Sequence, residues 1–161
     1  MSKHTAAPPL PFDPELVEGL RQVFEQRIPF NQVIGLKLFE MAADHVVGRV
    51  DMRPELVGHF SYNRLHGGVI SATLDAMGGM AVMAAIGARH MDEPPARRLE
   101  RFVKLGTIDL RIDYLRQGIG DFFTAHAEVL RLGSRVASTR MEFRGADGTL
   151  IATGAAAYIV S

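Results

Sequence analysis

The stretch LHGGVISATLDAMGG, residues 65–79, opens a long apolar segment of this chain. Between Gly67 and Ala88 the only charged residue is Asp75. A segment that is apolar on every side predicts a helix enclosed by other structure. An unpaired buried carboxylate costs several kcal/mol, so Asp75 must be paired, hydrogen-bonded or facing a cavity. We therefore take Asp75 as the first candidate for a functional residue.

Apolar and polar residues alternate on both sides of this helix, which we expect to span roughly residues 67–86, and this pattern predicts β-strands. The predicted strands are 34–39 and 46–53 before the helix, and 107–114, 122–131, 135–144 and 149–160 after it. Short turns between strands imply an antiparallel sheet, and burying one long apolar helix requires a curved one. The sequence thus predicts an α+β fold of about six antiparallel strands around one helix.

The N-terminal part predicts an extra helix in front of the sheet. Asp13 suits a helix N-cap and Pro14 the first helical position, and apolar residues then recur at helical spacing to about Arg27. Residues 1–12 lack the apolar segment of a signal peptide, and we expect them to be a disordered lead-in. A chain of 161 residues is enough for one core, so we expect residues 13–161 to form a single domain.

Composition excludes several classes of function. Lys plus Arg and Asp plus Glu both number 18, a balance that does not favour nucleic acid as a partner. The chain has no cysteine, which excludes disulfides and thiolate metal sites and favours the cytoplasm. Its histidines show no metal-ligand spacing, and no phosphate-binding glycine loop is present, so we expect no metal and no cofactor. Asp75 and five glycines argue against a membrane span in the apolar segment.

Three motifs together resemble hotdog-fold acyl-CoA thioesterases of the PaaI-like superfamily, in particular its YigI-type branch. They are Leu65–Ile70 with Asp75 and Gly78-Gly79, then Gly106–Tyr114, and finally Gly154–Tyr158, within roughly residues 30–160. The resemblance implies a curved sheet wrapped around the helix and an enzyme that hydrolyses fatty or aryl-acyl-CoA to the free acid and CoA. It also implies two subunits joined edge to edge, as a homodimer or a dimer of dimers, with sites at the interface.

The resemblance also assigns roles to residues of this chain. It makes Asp75 the catalytic general base or nucleophile, Gly67 the backbone donor to the thioester carbonyl, His66 a supporting neighbour and Thr107 a hydroxyl that holds water or substrate. The missing side chains at Gly67 and Gly68 let a carbonyl oxygen approach the N-terminus of the helix, where N–H groups are free.

The remaining candidates concern substrate and water binding. Many relatives have an asparagine six or seven residues before the histidine, where this chain has His59 and Phe60, so either His59 or Asn63 positions the water. Positive charges exceed negative ones in the segment 89–104, which is either a solvated loop or a site where Arg101 and Lys104 bind CoA phosphates.

Helix geometry links these roles to dimerisation. Asp75 lies eight residues beyond Gly67, about 12 Å along a helix. A base must lie within about 3 Å of the water that it activates, and that water must lie equally near the carbonyl. If both roles are real, Asp75 serves the oxyanion site of a second subunit.

Two other functions stay open from sequence. Gly58-His59-Phe60 is similar to a motif of β-hydroxyacyl dehydratases on the same fold, although the helix acid here is Asp rather than Glu. A non-catalytic acyl-CoA-binding hotdog domain is the other alternative. The methionines at 77, 80 and 83 fit either a core or one side of an acyl tunnel.

Overall fold

The computed structural model describes residues 13–161, so the predicted lead-in 1–12 lies outside the described residues. The helices are α1 (Pro14–Gln22), α2 (Pro29–Ile34), α3 (Gly67–Arg89) and α4 (Pro95–Glu100). The strands are β1 (Lys37–Met41), β2 (His45–Asp51), β3 (Val57–His59), β4 (Arg64–Leu65), β5 (Gly106–Tyr114), β6 (Phe122–Leu132), β7 (Val136–Gly145) and β8 (Leu150–Ile159). A π-helical turn, Val23–Arg27, continues α1, and a 3₁₀ turn, Arg101–Lys104, follows α4.

The main sheet has six antiparallel strands in the order β1-β2-β6-β7-β8-β5, and α3 packs on one of its faces. Close packing of α3 on β8 depends on Gly78, where a Cβ would lie 2.3 Å from the hydroxyl oxygen of Tyr158. The inward faces of β6 and β7 supply core residues such as Phe123 and Phe143, both fully buried. The structure confirms the predicted α+β architecture, and it leaves β1 and β5 at the two edges of this sheet.

Helix α3 is long and apolar enough to cross a membrane by length and composition alone. In the structure 67% of that apolar stretch is buried inside the fold. The central helix therefore serves as the core on which the sheet packs. It ends at Arg89, three residues later than the sequence predicts.

The first predicted strand was wrong at its start. Residues 29–34 form α2, because Pro29 suits the first helical position and Gly35 adopts the left-handed conformation, φ 70°, that ends a helix. The strand begins only at Lys37. It pairs with β2, so the predicted hairpin is present.

The N-terminal helix is present, and Asp13 anchors its N-terminal end. Asp13 accepts a hydrogen bond from the Glu15 backbone N–H at 2.9 Å, as predicted for an N-cap. The Asp13 carboxylate also pairs at 3.2 Å with Arg98 of α4, whose side chain is 2% exposed. Segment 89–104, predicted as a surface excursion, thus contains a helix that packs on α1 through a buried arginine.

Candidate active site

Three elements of the fold meet at Asp75. The Thr107 hydroxyl, on β5, donates to Oδ1 of Asp75 at 2.8 Å. The Tyr158 hydroxyl, on β8, donates to the backbone carbonyl of Asp75 at 2.8 Å and lies 3.3 Å from Oδ1. Within residues 13–161 no donor contacts Oδ2 of Asp75. One carboxylate oxygen is thus held by protein, and the other is available to a water or a substrate.

Tyr158 is a site residue that the sequence analysis used only as part of a motif. Its side chain is 1% exposed. Burial, reinforced by the Asp75 charge, raises the pKa of the Tyr158 hydroxyl well above its ordinary value. The tyrosine is therefore a neutral hydrogen-bond donor. An inward-facing tyrosine on a strand of alanines was the available signal, but nothing local in the sequence connects it to Asp75.

A cavity of about 270 Å³ lies beside Asp75. Asp75, Thr107 and Tyr158 line it together with mainly apolar residues from the N-terminal segment, α3 and the 3₁₀ turn. Met77, Met80 and Met83 are all buried in the core, and of the three only Met80 also lines this cavity. The free carboxylate oxygen thus belongs to a residue on the wall of an apolar cavity, which is the surrounding that an acyl chain requires.

The other predicted catalytic residues lie at the N-terminus of α3. His66 is the N-cap, and its Nδ1 accepts the Gly68 backbone N–H at 2.8 Å. The Tyr114 hydroxyl donates to the Gly67 carbonyl at 3.0 Å. The Gly67 N–H finds no acceptor in the described part of the chain. This N–H is a free donor at the positive end of the helix dipole.

The two glycines after His66 differ in what the fold requires of them. A Cβ at Gly68 would lie 2.9 Å from Nδ1 of His66, so a side chain there would disturb the cap. A Cβ at Gly67 would lie 3.4 Å from the Tyr114 ring, a contact that a small shift accommodates. The fold therefore needs the glycine at 68, and its own packing leaves room for a methyl group at 67.

The predicted catalytic residues form two separate groups within one chain. Asp75 and Thr107 contact each other, whereas His66, Gly67 and Gly68 do not line the cavity that holds Asp75. Because α3 is a regular helix from Gly67, its start lies about 12 Å from Asp75 along the axis. One chain does not bring the free N–H and the carboxylate to a common carbonyl.

His59 is the last residue of β3, and Asn63 lies in the connection to β4. The His59 ring stacks on Phe60, with centroids 5.5 Å apart, and its buried Nδ1 has no partner within residues 13–161. Asn63 adopts a left-handed conformation, φ 45°, which asparagine tolerates better than most residues. A Cβ at Gly58 would lie 2.5 Å from Cα of His66, so packing on the α3 cap explains the glycine of the Gly-His-Phe motif.

Arg101 and Lys104 line a different cleft, of about 630 Å³, at the C-terminal end of α3. Arg101 forms a two-fold hydrogen-bonded ion pair with Glu93, which lowers the pKa of Glu93 and raises that of Arg101. Lys104 makes no ion pair with any residue from 13 to 161. Across these same residues, no three His, Asp or Glu side chains group in a way that could hold a metal.

The sheet wrapped on one apolar helix, with a carboxylate from that helix beside an apolar cavity, defines a hotdog-type protein. Residues 62–152 match the family model described as Thioesterase superfamily. The chain belongs to this superfamily. This match confirms the predictions of the family and of the hotdog fold class, and the relatives described next confirm that of a thioester hydrolase.

Individual relatives support this membership. The medium/long-chain acyl-CoA thioesterase YigI of Salmonella typhimurium is 36% identical over 139 residues, which are 86% of this chain and 90% of the relative. The protein of the same name from Escherichia coli K12 is 34% identical over the same shares. A crystal structure of a thioesterase-superfamily protein from Shewanella oneidensis matches with a TM-score of 0.85 and 38% identity, over 93% of this chain and 100% of that one.

Proposed function

We propose that this chain, as one domain over residues 13–161, is an acyl-CoA thioesterase that releases a fatty acid and CoA. The observation that carries the proposal is Asp75, with Oδ1 held by Thr107 and Oδ2 free, on the wall of an apolar cavity. The names of the YigI relatives, medium/long-chain acyl-CoA thioesterases, point to the same substrate class. We propose the cytoplasm as its compartment.

Hydrolysis would start at the thioester carbonyl carbon. Asp75 takes a proton from a water that attacks this carbon, or attacks it directly and forms an anhydride that water then opens. In either case the carbonyl oxygen gains negative charge, which a backbone N–H at a helix N-terminus stabilises. Collapse of this adduct breaks the C–S bond and releases the CoA sulfur as a thiolate that takes up a proton; the water route gives the free acid at once, and the direct route gives the anhydride, which water opens only after CoA has left. Single-turnover reaction in ¹⁸O-water tests the direct route, because ¹⁸O on Asp75 marks an anhydride that water opened at the Asp75 carbonyl carbon, and the water route leaves no label there.

The oxyanion donor in this proposal is Gly67 of a second subunit. Strand β5 is an edge of the sheet, and its side chains Ile108 and Tyr114 are 55% and 54% exposed. A long edge with exposed apolar residues is a template for pairing with another chain. Two copies of β5 joined antiparallel would continue the sheet across a homodimer.

The residues on β5 fit such pairing. Thr107, near one end of the strand, contacts Asp75, and Tyr114, at the other end, holds the carbonyl of Gly67. Strand β5 has a bulge between Thr107 and Asp109 that leaves Ile108 unpaired, so in a two-fold antiparallel pair centred on Arg111, Thr107 lies opposite Tyr114 of the partner subunit. That register brings Asp75 of one chain toward the free N–H of the other, which a single chain does not do.

Further roles remain proposals for the same reaction. We propose that His59 or Asn63 positions water and that His66 keeps the α3 N-terminus in shape through its cap. Arg101 is already paired with Glu93, whereas Lys104 makes no ion pair with any residue from 13 to 161. Lys104 is therefore the better candidate to bind a CoA phosphate. Dimers of dimers would follow from a second contact between copies.

The test is a steady-state assay that measures free CoA released from a panel of acyl-CoAs. We expect turnover on saturated acyl-CoA and no enoyl absorbance from 3-hydroxyacyl-CoA. Binding without turnover would favour the non-catalytic alternative and overturn the proposal. Enoyl product that disappears in His59→Ala would favour the dehydratase.

A further inference from the structure

One wall of the cavity beside Asp75 comes from the N-terminal segment of the chain. Phe24, Ile28 and Phe30 line it, and Asn31, which is 3% exposed, donates its side-chain N–H to the Phe24 carbonyl at 2.9 Å. This bond ties α2 to the π-helical turn. All four residues precede residue 62, where the match to the thioesterase superfamily begins. The wall is thus built outside the matched region that contains Asp75 and Thr107.

The floor of the cavity is a face of α3 with small side chains. Ala72, Ala76 and Gly79 line it at helical spacing, so this face leaves space rather than filling it. A Cβ at Gly79 would lie 3.4 Å from Leu105 and 3.7 Å from the Tyr158 ring, which are nearly ordinary contacts. Phe102, from the 3₁₀ turn, closes another side.

We propose that this cavity holds the acyl chain and that the N-terminal wall, with Phe102, limits its length. The inference rests on the proposed acyl-CoA hydrolysis. A cavity of about 270 Å³ holds roughly nine groups of about 30 Å³ each, the share of a water-sized group. The preferred substrates are therefore saturated medium-chain acyl-CoAs of about eight to ten carbons.

The experiment measures kcat/KM on saturated acyl-CoAs from four to sixteen carbons. Each additional methylene that the cavity buries should raise kcat/KM about fourfold, the ratio that corresponds to about 0.8 kcal/mol. We expect wild-type kcat/KM to rise by about this factor per carbon up to eight or ten carbons and then to level or fall. Phe102→Ala should move the maximum at least two carbons longer. Val103→Ala is the matched control, since Val103 is adjacent, 85% exposed and not part of the lining.

The N-terminal wall and the floor have their own variants. Ile28→Ala should also move the maximum of kcat/KM to longer acyl chains. Val33→Ala, at an exposed position of α2, should not. Gly79→Ala should lower kcat/KM for ten carbons about fourfold relative to kcat/KM for four and six carbons. The fold should tolerate this change, because alanine favours a helix over glycine.

The outcomes separate the two proposals. No hydrolysis of any acyl-CoA by the wild type would overturn the proposed function. Hydrolysis with a chain-length profile that no cavity variant changes, or that the controls change equally, would overturn the inference about the cavity. If circular dichroism shows that Phe102→Ala or Ile28→Ala is unfolded, the Gly79→Ala profile decides the question.

Discussion

Replacing Asp75 by asparagine separates the charge of this residue from its place in the fold. Thr107 can still donate to the amide oxygen of the substituted side chain, because the 2.8 Å bond is to a single oxygen. Among residues 13–161 no cation pairs with Asp75, so the neutral amide breaks no ion pair. We therefore expect the melting temperature of Asp75→Asn to equal or slightly exceed that of the wild type.

Activity should respond very differently. The amide cannot take a proton from water or attack the carbonyl, and a missing general base costs about a hundredfold or more in kcat, on the order of 3 kcal/mol. Thr107→Val is the matched control, because it removes one hydrogen bond to the same oxygen and should cost about tenfold or less. Release of CoA at saturating acyl-CoA measures both variants. Turnover of Asp75→Asn at the wild-type rate would refute the reasoning.

Three further substitutions test the surrounding geometry. Tyr158→Phe removes the hydroxyl near Asp75, and we expect a threefold to tenfold lower kcat with little change in KM, from a loss of about 1 kcal/mol; an unchanged kcat would show that this hydroxyl only supports the fold. Gly67→Ala should leave thermal stability unchanged, since the fold accommodates the methyl, but lower kcat/KM about tenfold by obstructing the approach to the N–H; full activity would count against this donor. His59→Ala should retain at least about a tenth of wild-type hydrolysis, because losing one orienting hydrogen bond costs about 0.5–1.5 kcal/mol, and complete loss would assign His59 a proton-transfer role.

Local patterns predicted most of this fold, because alternation and apolar helical runs directly reflect burial. They failed at Ile34, where alternating apolar residues continued from a helix into a strand without a break. Only the left-handed Gly35 marks the boundary in the structure. The spacing of apolar residues alone does not distinguish the end of a helix from the start of a strand.

The site was predictable only in part, for a related reason. Asp75 is conspicuous as the lone charge in an apolar helix, and the contact with Thr107 joins residues that are both in quoted motifs. Tyr158 and the cavity wall at Phe24 depend on how distant segments pack, 83 and 51 positions away from Asp75. No periodicity in the sequence carries that information.

The central claim is that the catalytic carboxylate and the oxyanion donor of one site come from different subunits. Mixing and refolding Asp75→Asn chains with Gly67→Ala chains tests it directly. In a dimer that contains one of each, both lesions fall in the same shared site and the other site is intact. At equal amounts about half of the dimers are mixed, so activity should rise to about a quarter of wild type, well above the mean of the separate variants. Activity that stays at this mean, with mixed dimers shown to be present, would place the whole site in one chain and contradict the account.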